Sequence, residues 1–317
     1  MHSGLENWRE QAKGQSIVQR FFHYVELRTK ITSVFSFLMG LAYLFASGYR
    51  IEPLKSAVFF GGMFCFDLTA TMLNNYCDAK NNRQPLPFSR HTAKALLLLL
   101  LAVSGALGLY LVYLSDLVVL FLGLLCFFFG IIYSYGPVPI SHGPYGELVS
   151  GFFYGLVIPA ILFYINVPGG GFFSYTLAGG NLSIVVDLRA ATGLLLLSIV
   201  PFCLTANIML ANNICDRERD VAVGRYTLAF YLGRKALWLF TALYYIAYLS
   251  VVVLVGLGFL SPLSLFLLLS VFPVQRNIKR FLAQQSKEET FTVAVQNYLM
   301  VMILHTVLIF LGRFWSA

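Results

Sequence analysis

The sequence predicts an all-α integral membrane protein with about nine transmembrane helices around a central cavity. Its 317 residues are 58% hydrophobic and 11% charged, which is less than half of the charged fraction of about 25% in a typical soluble domain. Uninterrupted apolar stretches also recur along the chain from Ile31 onward. About 20 such residues are enough for a helix to cross the hydrocarbon core of a bilayer.

The apolar stretches divide into nine predicted spans, which we treat as one domain over residues 1–317. They lie near residues 31–48, 55–77, 92–114, 117–135, 146–166, 190–214, 235–257, 260–275 and 292–314. Runs such as Ala95 to Ala102 are apolar on every side. Strands of a membrane barrel would instead alternate apolar and polar residues, so the spans are predicted to be helices.

Basic residues set the predicted orientation. Residues 1–30 carry several of them without a cleavable signal pattern, so we predict a cytoplasmic N-terminal segment. Nine crossings then leave all but four of the 22 Lys and Arg residues on the cytoplasmic side. This bias predicts a multi-pass protein of the cell (plasma) membrane with its active-site mouth facing the cytoplasm. The net charge of +8 then follows from topology and attraction to anionic lipid, which makes the bilayer, and not nucleic acid, the predicted partner.

The polar residues concentrate in the segments between spans. The predicted cytoplasmic loops are 78–91, 136–145, 215–234 and 276–291, and residues 167–187, rich in Gly and Ser, are predicted to form a flexible external loop. The five cysteines are odd in number and lie within or at the ends of predicted spans. A disulfide framework is therefore not expected.

An internal repeat is the main functional signal. The segment 74–82, NNYCDAKNN, is echoed 138 residues later by 212–220, NNICDRERD, and both copies end an even-numbered span on the same side. Repeats in membrane proteins place paired sites at their interface. The repeat therefore predicts two half-sites that face each other across the cavity.

Each copy of the repeat forms a column of oxygen ligands. Residues spaced by four share one helical face, and oxygen ligands of this kind suit Mg²⁺, which shares its shell with water and substrate phosphates. A single Asn or Asp at a helix end is more simply a cap, but duplication of the whole column favours a site. The predicted metal ligands are Asn74, Asp78 and Asn82 in the first column and Asn212, Asp216 and Asp220 in the second. Asp67 and Thr71 continue the first column into the apolar part of the span, where Asp67 either serves function or is simply protonated or hydrogen-bonded between helices.

Basic side chains surround both columns. Arg83 follows the first, Arg217 and Arg219 lie within the second, and Arg225, Arg234 and Lys235 come soon after it. Carboxylates alone would bind a metal, but carboxylates interleaved with Arg and Lys indicate a metal-bridged polyphosphate, on which cations neutralise the charge of a leaving diphosphate.

Tyrosines lie at the end of the fourth span, in the segment 133–139, YSYGPVP. Tyr133 and Tyr135 can stabilise a carbocation through their ring faces or orient an aromatic acceptor through their hydroxyls. An interfacial aromatic belt explains them equally well.

The two motifs and this turn resemble the UbiA superfamily of intramembrane aromatic prenyltransferases. The second motif, followed by Gly224, Thr227-Leu228-Ala229 and Leu232-Gly233, together with the turn at Tyr133 to Pro139, Gly146-Glu147 and Val25 to Lys30, is similar to the branch that prenylates 1,4-dihydroxy-2-naphthoate. Asn82 stands where the superfamily commonly has a second Asp, so the first site should hold metal more weakly.

The resemblance implies a Mg²⁺-dependent transfer of a polyprenyl group from polyprenyl diphosphate to an aromatic acid, giving demethylmenaquinone. Asp78, Asp216, Asp220 and Tyr133 are then catalytic. The implied substrate-binding residues are Lys30, Asn74, Arg83, Tyr135, Asn212 and Arg225.

Three other functions would account for part of this pattern. Another aromatic acceptor within the superfamily remains open. A cation-coupled transporter would explain the carboxylates, but it would not explain the surrounding Arg and Lys residues. An alcohol phosphotransferase would need an Asp-Gly and Ala-Arg signature before the Asp pair, which this sequence lacks.

Overall fold

The computed structural model describes residues 16–81, 86–167 and 171–315. The chain divides into two compact units, one of residues 1–31 and 57–140 and the other of residues 32–56 and 141–317. Each unit is mainly helical. The prediction of a single domain stays a prediction.

The helices from the N-terminal side to the turn at Tyr135 lie mainly in the first unit. They are α1 (Ile17–Tyr24), α2 (Ile31–Ala46), α3 (Pro53–Asn81), α4 (Arg90–Leu114) and α5 (Leu117–Ser134), with a short 3₁₀ turn at Leu27–Lys30. Of these, α2 belongs almost entirely to the second unit.

The rest of the second unit follows the turn. Its elements are a 3₁₀ turn at Ile140–His142, α6 (Gly146–Phe152), which continues through a π-helical segment, Phe153–Val157, into α7 (Ile158–Asn166), the strands β1 (Phe173–Ala178) and β2 (Asn181–Val186), then α8 (Leu188–Cys215), α9 (Arg217–Ala222), α10 (Leu228–Leu232), α11 (Lys235–Gly256), a 3₁₀ segment (Pro262–Ser270), α12 (Val271–Ala283) and α13 (Thr292–Trp315).

Seven helical segments in the described residues are long and apolar enough to cross a membrane. They match seven of the nine predicted spans and confirm a helical, polytopic membrane protein. The first predicted span is the shorter apolar helix Ile31–Ala46. The eighth, predicted over 260–275, is a 3₁₀ segment followed by α12, which runs on to Ala283.

The loop predicted over 276–291 was wrong for its first half. Val274, Ile278 and Phe281 of α12 are buried, while Arg276, Lys279 and Arg280 are exposed. This spacing is that of an amphipathic helix. The prediction took the charges as loop residues because a hydropathy window averages over the two faces of such a helix.

The flexible loop predicted over 167–187 was also wrong, because most of it is a β-hairpin. Strands β1 and β2 pair antiparallel from Phe173↔Val186 to Ala178↔Asn181. Gly179 and Gly180 form the two-residue turn at φ +56° and +78°, values that this tight turn requires and glycine adopts without strain.

The core of the first unit anchors its N-terminal segment. Tyr24 and Val25 are fully buried and pack with Leu68 and Met72 of α3 and with α4. Helix α1 begins with a capping box between Ser16 and Gln19. These contacts hold Leu27–Lys30 beside α3.

Helix α8 is the centre of the second unit. Its residues Leu197, Val200 and Leu210 are fully buried, and Asn207 Nδ2 donates to the Phe240 carbonyl of α11 at 3.0 Å. These contacts fix the helix whose C-terminal end carries the second motif.

Candidate active site

The first motif occupies the last turns of α3. Asp78 is buried, at 6% exposure, and Asn74 Nδ2 lies 3.5 Å from its Oδ2 atom. At the end of α5, the hydroxyl of Ser134 donates to Asn74 Oδ1 at 3.2 Å. The structure thus brings Asn74 and Asp78 together on one face, as the spacing predicts, and Ser134 orients the amide.

Two predicted site residues, Asn82 and Arg83, lie outside the described residues. Their roles as metal ligand and diphosphate-binding residue stay predictions.

Lys30 and Asp67 form a buried ion pair about two turns deeper along the same helix. Lys30 Nζ lies 2.8 Å from Asp67 Oδ1 and 3.0 Å from the Asp67 carbonyl oxygen, and it also bonds the hydroxyl of Thr71. The two charged side chains are 4% and 5% exposed. Asp67 is therefore neutralised by Lys30, and a substrate-binding role for Lys30 stays a prediction.

The second motif runs through the junction of α8 and α9. The Asp216 amide donates to the Asn212 carbonyl at 2.9 Å, and the Asp220 amide donates to the Asp216 carbonyl at 2.8 Å. The helical repeat is therefore kept across the junction, and Asn212, Asp216 and Asp220 form the predicted column.

Burial and nearby basic residues shift the pKa of Asp220 in opposite directions. This residue lies outside the membrane-spanning segments. Burial raises the pKa of this carboxyl, as does neighbouring Asp216, while Arg225 and Lys287 lower it, and the net direction is upward. The Arg225 amide donates to the Asp220 carbonyl at 2.8 Å. The structure therefore places Arg225 beside the second column, and its substrate-binding role stays a prediction.

Lys287 is the residue that sequence analysis missed. It lies between α12 and α13, and its Nζ atom is 2.6 Å from Asp216 Oδ2 and bonds Asn212 Oδ1 as well. The sequence signal was weak, because Lys287 was one of several basic residues in a predicted loop.

The second Asn of each repeat copy ties its helix to another segment. Asn75 Nδ2 donates to the Tyr24 carbonyl at 3.0 Å and to Glu26 at 3.1 Å. Asn213 Nδ2 donates to Glu147 Oε1 at 2.8 Å, with both side chains buried. Within each Asn-Asn pair, the first residue therefore belongs to the oxygen column and the second fixes the helix.

Tyr133 and Tyr135 have different surroundings. Tyr133 is half-buried, whereas Tyr135 is 62% exposed. Tyr135 lines a groove of about 450 Å³ within the first unit, together with Tyr76, Arg90 and Lys94. An aromatic ring and two cations beside an apolar groove can receive a flat, negatively charged molecule.

The cysteines carry no sign of a soft-metal site. All five are free thiols, and no group of three His, Cys, Asp or Glu side chains clusters as a metal cage in the residues that the structure describes. Each half-site instead combines carboxylates with Asn amides. This donor set fits Mg²⁺ that takes its remaining ligands from water and phosphate.

Comparison with known proteins bears on these half-sites. The sequence pattern described as the UbiA prenyltransferase family matches residues 33–310. A 1,4-dihydroxy-2-naphthoate octaprenyltransferase of Bacillus subtilis (strain 168) is 32% identical over 202 residues, which are 62% of this chain and 58% of that protein. The chain thus matches somewhat more than half the length of this relative.

Solved structures share the fold. A UbiA homologue from Aeropyrum pernix K1 superposes with a TM-score of 0.59 at 16% identity, covering 87% of this chain and 97% of that one. A UbiA homologue from Archaeoglobus fulgidus bound to DMAPP and Mg²⁺ gives a TM-score of 0.55 at 16% identity, covering 92% of this chain and 99% of that one. At these identities the likeness shows the fold.

Proposed function

This chain belongs to the UbiA prenyltransferase family, and we propose that it transfers a polyprenyl group from polyprenyl diphosphate to an aromatic acceptor with the help of Mg²⁺. The observation that carries the proposal is the duplicated column of Asn and Asp oxygens at the ends of α3 and α8. The Archaeoglobus relative, bound to DMAPP and Mg²⁺, supports a prenyl diphosphate as the donor.

In the proposed function, both columns bind the diphosphate through Mg²⁺. The residues that would hold the metal are Asn74, Asp78 and Asn82 in the first column and Asn212, Asp216 and Asp220 in the second. Bound there, Mg²⁺ would neutralise charge on the diphosphate. Arg225, beside Asp220, and Arg83 would stabilise the charge that develops as the diphosphate leaves.

Ionisation of the donor leaves an allylic cation, which water would quench. An apolar interior around the cation would exclude water. Tyr133 and Tyr135, at the end of α5, are the proposed residues for stabilising the cation through a ring face or orienting the acceptor.

For the acceptor, we propose 1,4-dihydroxy-2-naphthoate. The name of the Bacillus relative supports it. A ring carbon would form a bond to the prenyl carbon, the bond from that ring carbon to the carboxylate would break with release of CO₂, and diphosphate would leave with the electrons of the broken C–O bond. The product is demethylmenaquinone at the quinol level of reduction.

We further propose that the protein lies in the cell membrane with both columns at the cytoplasmic face, where a water-soluble acceptor is available. The bias of basic residues supports this orientation. A cation-coupled transporter would also use paired carboxylates, but the family to which the chain belongs favours prenyl transfer.

The test is turnover by the purified protein. Incubation with labelled polyprenyl diphosphate, Mg²⁺ and a panel of aromatic acids, followed by mass analysis, should yield one prenylated lipid from dihydroxynaphthoate. Asp216→Asn and Asp220→Asn should each lower turnover at least about 100-fold, the scale of losing a major electrostatic contact to the transition state. Glu218→Gln, an exposed carboxylate on the same short helix, is the matched control and should retain wild-type turnover. Equal turnover in Asp216→Asn and Glu218→Gln would contradict the proposed metal role.

A further inference from the structure

The turn between α12 and α13 places the ammonium group of a lysine against the second column. Lys287 Nζ lies 2.6 Å from Asp216 Oδ2 and bonds Asn212 Oδ1, so it contacts two of the three side chains proposed to hold metal in the second column. Its ammonium also lies 4.7 Å from the centre of the Phe291 ring. The pairing joins segments 71 residues apart in the chain.

Internal hydrogen bonds fix the turn that carries this lysine. Thr290 is buried, and its hydroxyl donates to the Gln284 carbonyl at 2.9 Å and accepts from the Ser286 amide at 2.9 Å. The Ser286 hydroxyl accepts from the Glu289 amide at 3.3 Å. These hydrogen bonds therefore fix the backbone that carries Lys287.

Burial distinguishes this ion pair from the other one at the columns. The Lys287 and Asp216 side chains are 37% and 18% exposed, whereas Lys30 and Asp67 are 4% and 5% exposed. A deeply buried pair is difficult to separate because each charge would lose its partner without gaining water. The Lys287 side chain is partly exposed to solvent, so its ammonium can exchange one anionic partner for another.

We propose that Lys287 is a substrate-binding residue that exchanges Asp216 and Asn212 for the diphosphate when the metal arrives. The inference rests on the proposed function and extends it to a residue outside the repeated motif. Mg²⁺ at the second column would compete with the ammonium for side-chain oxygens of Asp216 and Asn212, because two cations at one carboxylate repel each other. The diphosphate that accompanies the metal offers the displaced ammonium new oxygens within reach of the same side chain.

Two effects of opposite sign follow. Removing the Lys287 charge removes a competitor, so the metal alone should bind more tightly. The same change removes a contact to the diphosphate, so the anion should bind more weakly in the presence of metal. A lysine that only stabilised the fold would move neither affinity, or would weaken both.

The experiment uses the full-length protein purified in detergent. Lys287→Met keeps an unbranched apolar side chain and removes the charge, and Lys287→Arg keeps the charge. Lys279→Met, an exposed lysine on α12, is the matched control. Mn²⁺ binding is measured by electron paramagnetic resonance without phosphate, and binding of inorganic pyrophosphate with Mg²⁺ by calorimetry.

For Lys287→Met, the account predicts Mn²⁺ binding at least several-fold tighter and pyrophosphate binding about tenfold weaker, the scale of one hydrogen bond to a charged group. KM for the prenyl diphosphate should rise more than kcat falls, and Lys287→Arg should lie close to wild type. Thermal unfolding verifies that each variant is folded.

The outcomes separate this inference from the proposed function. The role of Lys287 alone is overturned if the wild-type protein binds pyrophosphate with Mg²⁺ and Lys287→Met gives the same affinities as Lys279→Met in both titrations. Weaker binding of both Mn²⁺ and pyrophosphate in Lys287→Met also overturns it, since that pattern indicates a structural role. Failure of the wild-type protein to bind pyrophosphate with Mg²⁺ overturns the proposed function itself.

Discussion

The ammonium of Lys30 lies 2.8 Å from the carboxylate of Asp67, and both side chains are almost completely buried. Removing one partner of such a pair leaves an uncompensated charge, at a cost of about 3–5 kcal/mol. We therefore expect Lys30→Met to lower the midpoint of thermal unfolding in detergent strongly, and the double variant Lys30→Met/Asp67→Leu to recover much of the loss.

The control for this prediction is the exposed pair Arg50 and Glu52, whose closest charged atoms are 3.9 Å apart and whose side chains are 92% and 46% exposed. Exposed pairs contribute little, so Arg50→Ala should leave the midpoint nearly unchanged. A double variant at Lys30 and Asp67 as unstable as the single one would contradict the ion-pair account.

A close approach of α8 to the preceding span depends on Gly155. A Cβ atom at this position would lie 2.5 Å from the Phe202 backbone nitrogen, whereas one at Gly123 would meet nothing within 4 Å. Backbone cannot yield as a flexible side chain does, so Gly155→Ala should destabilise the protein by about 1–3 kcal/mol. Gly123→Ala should be neutral or slightly stabilising in detergent, because alanine favours helix. Equal unfolding midpoints for the two variants would show that the helices do not pack this closely.

The two Asn residues of the second motif should separate binding from stability. Asn213 is buried and bonded to Glu147, so Asn213→Ala should cost about 1–3 kcal/mol, as expected when a buried polar partner is lost. Asn212 is only half-buried and faces Lys287, so Asn212→Ala should weaken Mg²⁺-dependent pyrophosphate binding with little change in unfolding. Thermal unfolding and calorimetry of both variants decide the matter, and an interchange of the two effects would contradict the assignment.

As the pH falls, Mg²⁺ binding should begin to weaken at a higher pH than it would if Asp220 had the pKa of an ordinary aspartate. Burial raises the pKa of Asp220 above its usual 3.8, and only the ionised carboxylate is a good Mg²⁺ ligand. As the pH falls through the raised pKa, Asp220 takes up a proton and Mg²⁺ affinity falls. The Asp220→Asn variant should bind Mg²⁺ weakly at every pH, without this acid limb.

Stability of the metal-free protein should show the opposite trend. With a folded-state pKa above the unfolded one, the Asp220 contribution is fully present below the unfolded pKa and is lost as the pH rises through the folded pKa. As the pH rises from the unfolded to the folded pKa, the free energy of unfolding should therefore fall less for Asp220→Asn than for wild type. If stability depended on pH in the same way in the two proteins, the pKa of Asp220 would not be raised in the folded protein.

Local spacing made the spans and the columns predictable. Four-residue spacing places Asn212, Asp216 and Asp220 on one face whatever surrounds them, and long apolar runs identify membrane helices by length alone. The partner of Asp216 was not predictable, because Lys287 is 71 residues away and no local pattern encodes that contact. The hairpin 173–186 was missed for another reason: its Gly and Ser content was weighted above the strand-forming residues Tyr175, Ile184 and Val185.

If both repeated motifs act on the same diphosphate, a double-mutant cycle will reveal coupling between them. Binding of inorganic pyrophosphate with Mg²⁺ is measured by calorimetry for wild type, Asp78→Asn, Asp216→Asn and the double variant. Residues that act on one ligand are strongly non-additive, so the account predicts that the double variant loses clearly less affinity than the two single losses combined. Additive losses, or a loss in only one of the single variants, would contradict it.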